Sequence, residues 1–123
     1  MKIKLTFQDK TLKATLNDNE TTRDFVSLLP LTLTMSDLFG REKYGHLPRA
    51  IADGGKRQFT YEVGQLIYWS PGPDVAVYYR DDGEKIPSPG IIVIGKVDSG
   101  IAALNVPGAV KVRIERVSDN DSK

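Results

Sequence analysis

The sequence predicts a mainly β fold: a small closed eight-stranded antiparallel barrel with one or two short helices. Three observations point there. Apolar and polar residues alternate over short runs, as where Ile3, Leu5 and Phe7 interleave with Lys4, Thr6 and Gln8. That is the period of a half-buried strand. Turn signals built from Gly, Pro, Asn and Asp recur at the spacing typical of sandwiches and barrels. So many short strands would leave exposed sheet edges, and closure removes them. A chain of 123 residues, 40% apolar and 27% charged, fits one domain. Residues 1–117 read as the barrel and residues 118–123 as a polar tail.

The elements follow in order. Residues 3–7 form the first strand, Asp9-Lys10 a tight turn, and Leu12, Ala14 and Leu16 the inner positions of its hairpin partner. Asn17-Asp18-Asn19 ends that strand and offers helix N-caps. Residues 20–29 read as a short helix with Phe25, Leu28 and Leu29 on one side, stopped by Pro30. Leu31, Leu33 and Met35 alternate as a third strand. Residues 36–64 are broken by Gly40, Gly45, Pro48, Gly54 and Gly55, and read mostly as loop, with Gln58 to Glu62 as one short extended piece. Gln65 to Trp69 and Val75 to Arg80 are antiparallel partners across the rigid turn Pro71-Gly72-Pro73. Asp81-Asp82-Gly83 turns the chain, and Pro87 and Pro89 lead into Ile91-Ile92-Val93-Ile94. Four consecutive β-branched residues mark a strand buried on both faces, or one bridging two sheets. Ile101 to Leu104 is a helical turn, and Val110, Val112 and Ile114 are the last strand. At this size side chains are expected to fill the barrel.

Several functions are excluded or disfavoured. The chain has no cysteine, which removes disulfides, thiolate metal sites and a cysteine nucleophile. Net charge is +1, so no strong field draws nucleic acid or an anionic membrane. No apolar run has the length of a signal peptide or a membrane span, and a cytoplasmic protein is expected. Gly90-x-x-x-x-Gly95-Lys96 spells most of a phosphate-binding loop, but Val97 stands where Ser or Thr would hold magnesium. Ile-Ile-Val-Ile also favours a straight backbone over a curled one. The segment reads as a core strand, with Gly95 marking a bulge or a close backbone approach. His46 is the single imidazole and reads as a loop histidine, since no serine lies in a nucleophile elbow. Asp81-Asp82-x-Glu84 has oxygen ligands but is a turn sequence. No cofactor and no metal are expected.

The functional candidates are aromatic. In a strand Tyr68 and Trp69 point to opposite faces, as do Tyr78 and Tyr79. One of each pair must face outward, with Arg80 next in the chain and Tyr44 and Tyr61 as neighbours. The candidate groove is therefore Tyr68, Trp69, Tyr78, Tyr79, Arg80 and Tyr44, suited to an extended peptide or a small ligand. Cross-strand aromatic pairing that stabilises the hairpin is the competing reading. Arg41-Glu42-Lys43-Tyr44 is a further candidate rim, or an ion-paired surface loop.

The pattern Asn19-x-Thr21, Phe25, Leu28-Leu29-Pro30, Met35, Leu38, Gly40, Glu42-Lys43-Tyr44 resembles a family of small bacterial and archaeal proteins with a cyclophilin-like fold. Gly64-x-x-x-Tyr68-Trp69-x-Pro71-Gly72, Val77-Tyr78-Tyr79 and Ile94-Gly95-Lys96-Val97 fit the same family, so the resemblance spans about residues 1–117. It implies an eight-stranded cyclophilin-type barrel with the helix plugging one end. Most members have no assigned activity. The Phe-His-Arg-Val-Ile and Asn-Gly-Thr-Gly-Gly runs of prolyl-isomerase cyclophilins are both missing, so no catalytic residue carries over. Two readings follow. One is a non-enzymatic binding module for a peptide, a small ligand or a partner protein. The other is a divergent peptidyl-prolyl isomerase using Arg80 with Tyr68, Trp69 or Tyr78.

Overall fold

A computed structural model describes residues 1–117; the polar segment Ser118 to Lys123 lies outside the described residues. Eight strands close into one antiparallel barrel: β1 Lys2–Phe7, β2 Lys10–Leu16, β3 Leu31–Leu38, β4 Glu42–His46, β5 Gln65–Trp69, β6 Asp74–Tyr78, β7 Ile92–Val97 and β8 Val110–Val117. Around the barrel the order is β1-β2-β7-β5-β6-β4-β3-β8, with β8 returning to β1. The alternation seen in the sequence sets the register. Ile3 faces Ala14 and Leu5 faces Leu12 across the β1–β2 hairpin, which keeps the apolar set on the inner face.

The interior is solid. Ile3, Leu5, Val77, Ile94, Val112 and Ile114 are fully buried in it. The helix α1 Glu20–Val26 closes one end by inserting Phe25 into the core. Its cap is Asn19, whose side chain accepts from the Thr22 N–H at 2.8 Å and donates to the Val93 carbonyl at 3.1 Å, tying the helix to β7. The 3₁₀ turn Ile101–Leu104 follows β7 and covers the opposite end with Leu104.

Two sequence expectations change. Residues 42–46, expected as loop, form β4. Its inward positions are Lys43 and Gly45, so no apolar alternation announces it. A Cβ on Gly45 would come within 3.2–3.3 Å of Leu33 and Met35, which explains the glycine. Gln58 to Glu62 makes only one bridge, Gln58 to Ile91. Within Gly90–Lys96 the strand β7 begins at Ile92 and runs through Gly95 to Val97, with Ile91 joined only by the bridge to Gln58. Leu66 pairs with Gly95 and Ile67 with Val93, so Ile94 is the extra residue of a β-bulge. Gly95 also lies against β2, where an added Cβ would be 2.4 Å from the Thr15 carbonyl oxygen. Bulge and close approach coincide.

Lys43 is the polar exception inside the barrel. It is fully buried, and its ammonium donates to the Val106 and Gly108 carbonyls at 2.6 Å each and to Asp37 at 3.1 Å. It clamps the segment after the 3₁₀ turn over that end of the barrel.

Candidate functional site

The outer face of β5, β6 and β4 carries a second apolar layer. Cross-strand register places Trp69, Asp74 and His46 in one row. Ile67, Ala76 and Tyr44 form the next, and Tyr78 with Glu42 the third. Residues 58–63 and 81–91 fold over part of this face. Tyr61 stacks on Tyr78 with ring centroids 4.0 Å apart, and Ile86 and Ile91 complete the cluster. What the cover leaves open is a recess of about 270 Å³. Ala76 is the small side chain in the middle of its floor, ringed by Ile67, Tyr44, Trp69 and Tyr78.

The candidate aromatics divide between the two faces. Trp69, Tyr78 and Tyr44 line the recess. Tyr68 and Tyr79 point inward and belong to the barrel core. The Tyr68 hydroxyl accepts from the Ile51 N–H at 3.2 Å. The Tyr79 hydroxyl donates to Asp37, and burial together with that carboxylate pushes its pKa up to about 12. Arg80 follows the end of β6; its side chain is exposed and does not line the recess. The guanidinium at the site is that of Arg41, from the rim segment. Its Nε donates to Glu42 at 2.8 Å and its Nη1 reaches both Asp82 oxygens at 3.4 Å. It also lies over the rings of Phe39, Tyr61 and Tyr78 at 5.2–5.7 Å. Arg41 is thus a buried organiser of the lower wall.

Two carboxyl groups face the recess in strained circumstances. Burial pushes the Glu42 carboxyl up, against the pull of Arg41. Burial likewise pushes Asp74 up, with His46 opposing. His46 Nδ1 is within ion-pair range of Asp74 Oδ1 but out of line for a hydrogen bond. Oδ1 is buried and, among the described residues, has no hydrogen-bond donor. Asp82 is held low by the Glu84 N–H first and by the Tyr61 hydroxyl.

The rim carries an exposed ring, Phe39, which is 71% exposed. Phe39 and Gly40 both have positive φ, +57° and +63°. That pairing is a turn in which Asn-Gly is the comfortable sequence, so Phe39 carries backbone strain.

The other motifs resolve simply. Asp81 and Asp82 accept the Gly83 and Glu84 N–H groups, as a turn requires. No three His, Asp or Glu side chains converge on a metal-sized site among the described residues. His46 is exposed at the rim, and its charged neighbour is Asp74. Sequence reasoning named Arg41 and Glu42 only as a rim and passed over Asp74, whose signal was its place opposite Trp69 across the hairpin.

No helix among the described residues is long and apolar enough to cross a membrane. Comparison with curated proteins gives no match. The solution structure of a hypothetical protein from the archaeon Archaeoglobus fulgidus superposes with a TM-score of 0.75 at 22% identity, covering 95% of each chain. At that identity the likeness shows the fold. The profile of the cyclophilin-like family matches residues 5–115, nearly the whole barrel, and the chain belongs to that family.

Proposed function

We propose that this barrel is a non-enzymatic binding module whose outer-face recess receives a short segment of a partner protein. The observation that carries the reading is the recess itself: an aromatic hollow over Ala76, rimmed by exposed Phe39. A volume of about 270 Å³ is at or below the small end for ligand pockets, roughly 300–1,000 Å³. It suits one or two side chains. An exposed ring at its edge is what a larger partner would cover. A cytoplasmic setting belongs to the same proposal and rests on the cysteine-free sequence.

The isomerase reading has less support. Prolyl isomerisation would need an arginine free to reach a substrate amide, and Arg41 is engaged by Glu42 and Asp82.

Trp69 is the chain's single tryptophan and lines the recess, so its fluorescence reports on the site alone. Titration with acetylated heptapeptides of apolar, aromatic and charged centres is expected to give a saturable change in Trp69 emission. Ala76→Leu, which fills the floor, is expected to abolish it while leaving the fold intact. A response that survives Ala76→Leu would place binding elsewhere. Acceleration of prolyl-peptide isomerisation by the wild-type protein at high concentration would reject the non-enzymatic reading.

A further inference from the structure

The charges around the recess are unevenly satisfied. Arg41 is a cation against two carboxylates, Glu42 and Asp82, and both claim it. Arg57, which reaches Ser70 just beyond β5, is paired with Asp53 at 3.2 Å. Glu84 and Lys85 on the covering loop are both exposed and of opposite sign. Asp74 lines the recess with its side chain only 14% exposed, and its one charged neighbour among the described residues is His46, whose Nδ1 lies 2.5 Å from the buried Oδ1 in poor alignment for a hydrogen bond. A buried acceptor in that state is unusual, because leaving it unsatisfied forfeits the hydrogen bonds it had in water.

The neighbours of Asp74 are informative. Trp69 is its direct cross-strand partner on β5 and His46 on β4, and Tyr44 lies two residues along β4 on the same face. Aromatic faces beside a carboxylate make the chemical surroundings that favour a cation with an apolar stem. The rings hold the methylenes and attract the charge, and the carboxylate neutralises it. A guanidinium or an ammonium would also add a permanent positive charge beside a carboxylate whose present neighbour, His46, is charged only when protonated.

We infer that the recess is selective for a cationic side chain: it takes an arginine or lysine of the partner segment, with Trp69 and Tyr44 against the stem and Asp74 as counter-ion. This rests on the proposed binding function and narrows it. Charge complementarity selects the side chain, and the exposed Phe39 at the edge selects a protein segment over a free amine.

The test uses heptapeptides Ac-Ala-Leu-Ala-Xaa-Ala-Leu-Ala-amide with Arg, citrulline, norleucine or Glu at the centre, followed by Trp69 emission on the full chain. The Arg peptide is expected to bind at least about tenfold more tightly than citrulline, which keeps the shape and loses the charge. The Glu peptide is expected to show no saturable binding. In Asp74→Asn, checked for folding by circular dichroism, the Arg preference is expected to fall below about threefold. As an arm that needs no variant, raising salt is expected to weaken the Arg peptide and leave the norleucine peptide unchanged. Citrulline or norleucine binding as tightly as Arg would overturn the cation selectivity and leave segment binding standing. Silence with all four peptides would overturn the binding reading itself. Free arginine amide matching the Arg peptide would overturn the assignment to a protein segment.

Discussion

Asp74→Asn should make the protein more stable at neutral pH, although the aspartate faces a neighbouring histidine. The buried Oδ1 has no aligned donor, and desolvation raises the folded-state pKa of this carboxyl. An unsatisfied buried polar group costs about 1–3 kcal/mol, and more when it is charged. Asparagine keeps an oxygen there and removes only the charge, and Asp74 keeps some access to water and feels His46, so the relief is about 1 kcal/mol. The sign in pH follows. A carboxyl whose folded pKa is raised binds its proton more tightly when folded. Its cost is therefore absent below the unfolded value, grows as pH rises toward the folded value, and is full above that. Urea melts of wild type and Asp74→Asn at pH 3.5 and pH 7.5 check this. The variant should gain about 1 kcal/mol at pH 7.5, or about 4 °C in Tm for a chain of this size, and little at the acid end. A variant less stable than wild type at pH 7.5 would show that the His46 pairing outweighs burial. It would also remove the vacant acceptor from the argument for a cationic ligand.

Two further outcomes test the frame. Lys43→Met keeps the stem and removes the buried ammonium, stranding two carbonyls and part of the Asp37 pairing. Asp37 keeps Tyr79 and the Gly40 N–H, so the loss should be about 3 kcal/mol, the low end for breaking a buried pair, read as a shift in the urea midpoint. A shift under about 1 kcal/mol would mean that desolvation of the ammonium offsets its bonds. Gly95→Ala puts a Cβ 2.4 Å from the Thr15 carbonyl and 3.0 Å from Leu16 Cα, both backbone atoms that cannot swing away. It should cost about 3 kcal/mol in the same melts, whereas Gly55→Ala, with only a 3.9 Å contact to Ile92, should change stability by less than about 0.5 kcal/mol.

Most of the barrel was legible because apolar inward and polar outward residues alternate through β1 and through the stretches Leu12–Leu16 of β2, Leu31–Met35 of β3 and Val110–Ile114 of β8. β4 was not, because its inward residues are a lysine and a glycine, chosen by an end clamp and by crowding against β3. The site was half legible. That one of each aromatic pair faces outward follows from strand geometry, but which one does not. Tyr78 and Tyr79 are both buried, one under the covering loops and one in the core, so composition carries no parity. Arg80 drew attention by adjoining the aromatics in sequence. The strand ends at Tyr78, and the guanidinium that arrives in space belongs to Arg41, carried there by the β3–β4 hairpin.

The case for function on this face rests on where instability is kept. The barrel interior is closed and well packed, with even its buried lysine fully bonded. The outer recess gathers several features that each cost stability and that one substitution would relieve. Ala76 leaves a hollow that a larger apolar residue would fill. Phe39 holds a positive φ where asparagine is at ease, and leaves its ring in water. Asp74 buries an acceptor with no donor. Stabilising substitutions are easy to find in proteins generally, so one such feature would say little. Three within one small surface, sharing the chain's single tryptophan, support the proposed site, because a cationic partner segment that fills the hollow, covers the ring and answers the carboxylate's charge would relieve all three at once.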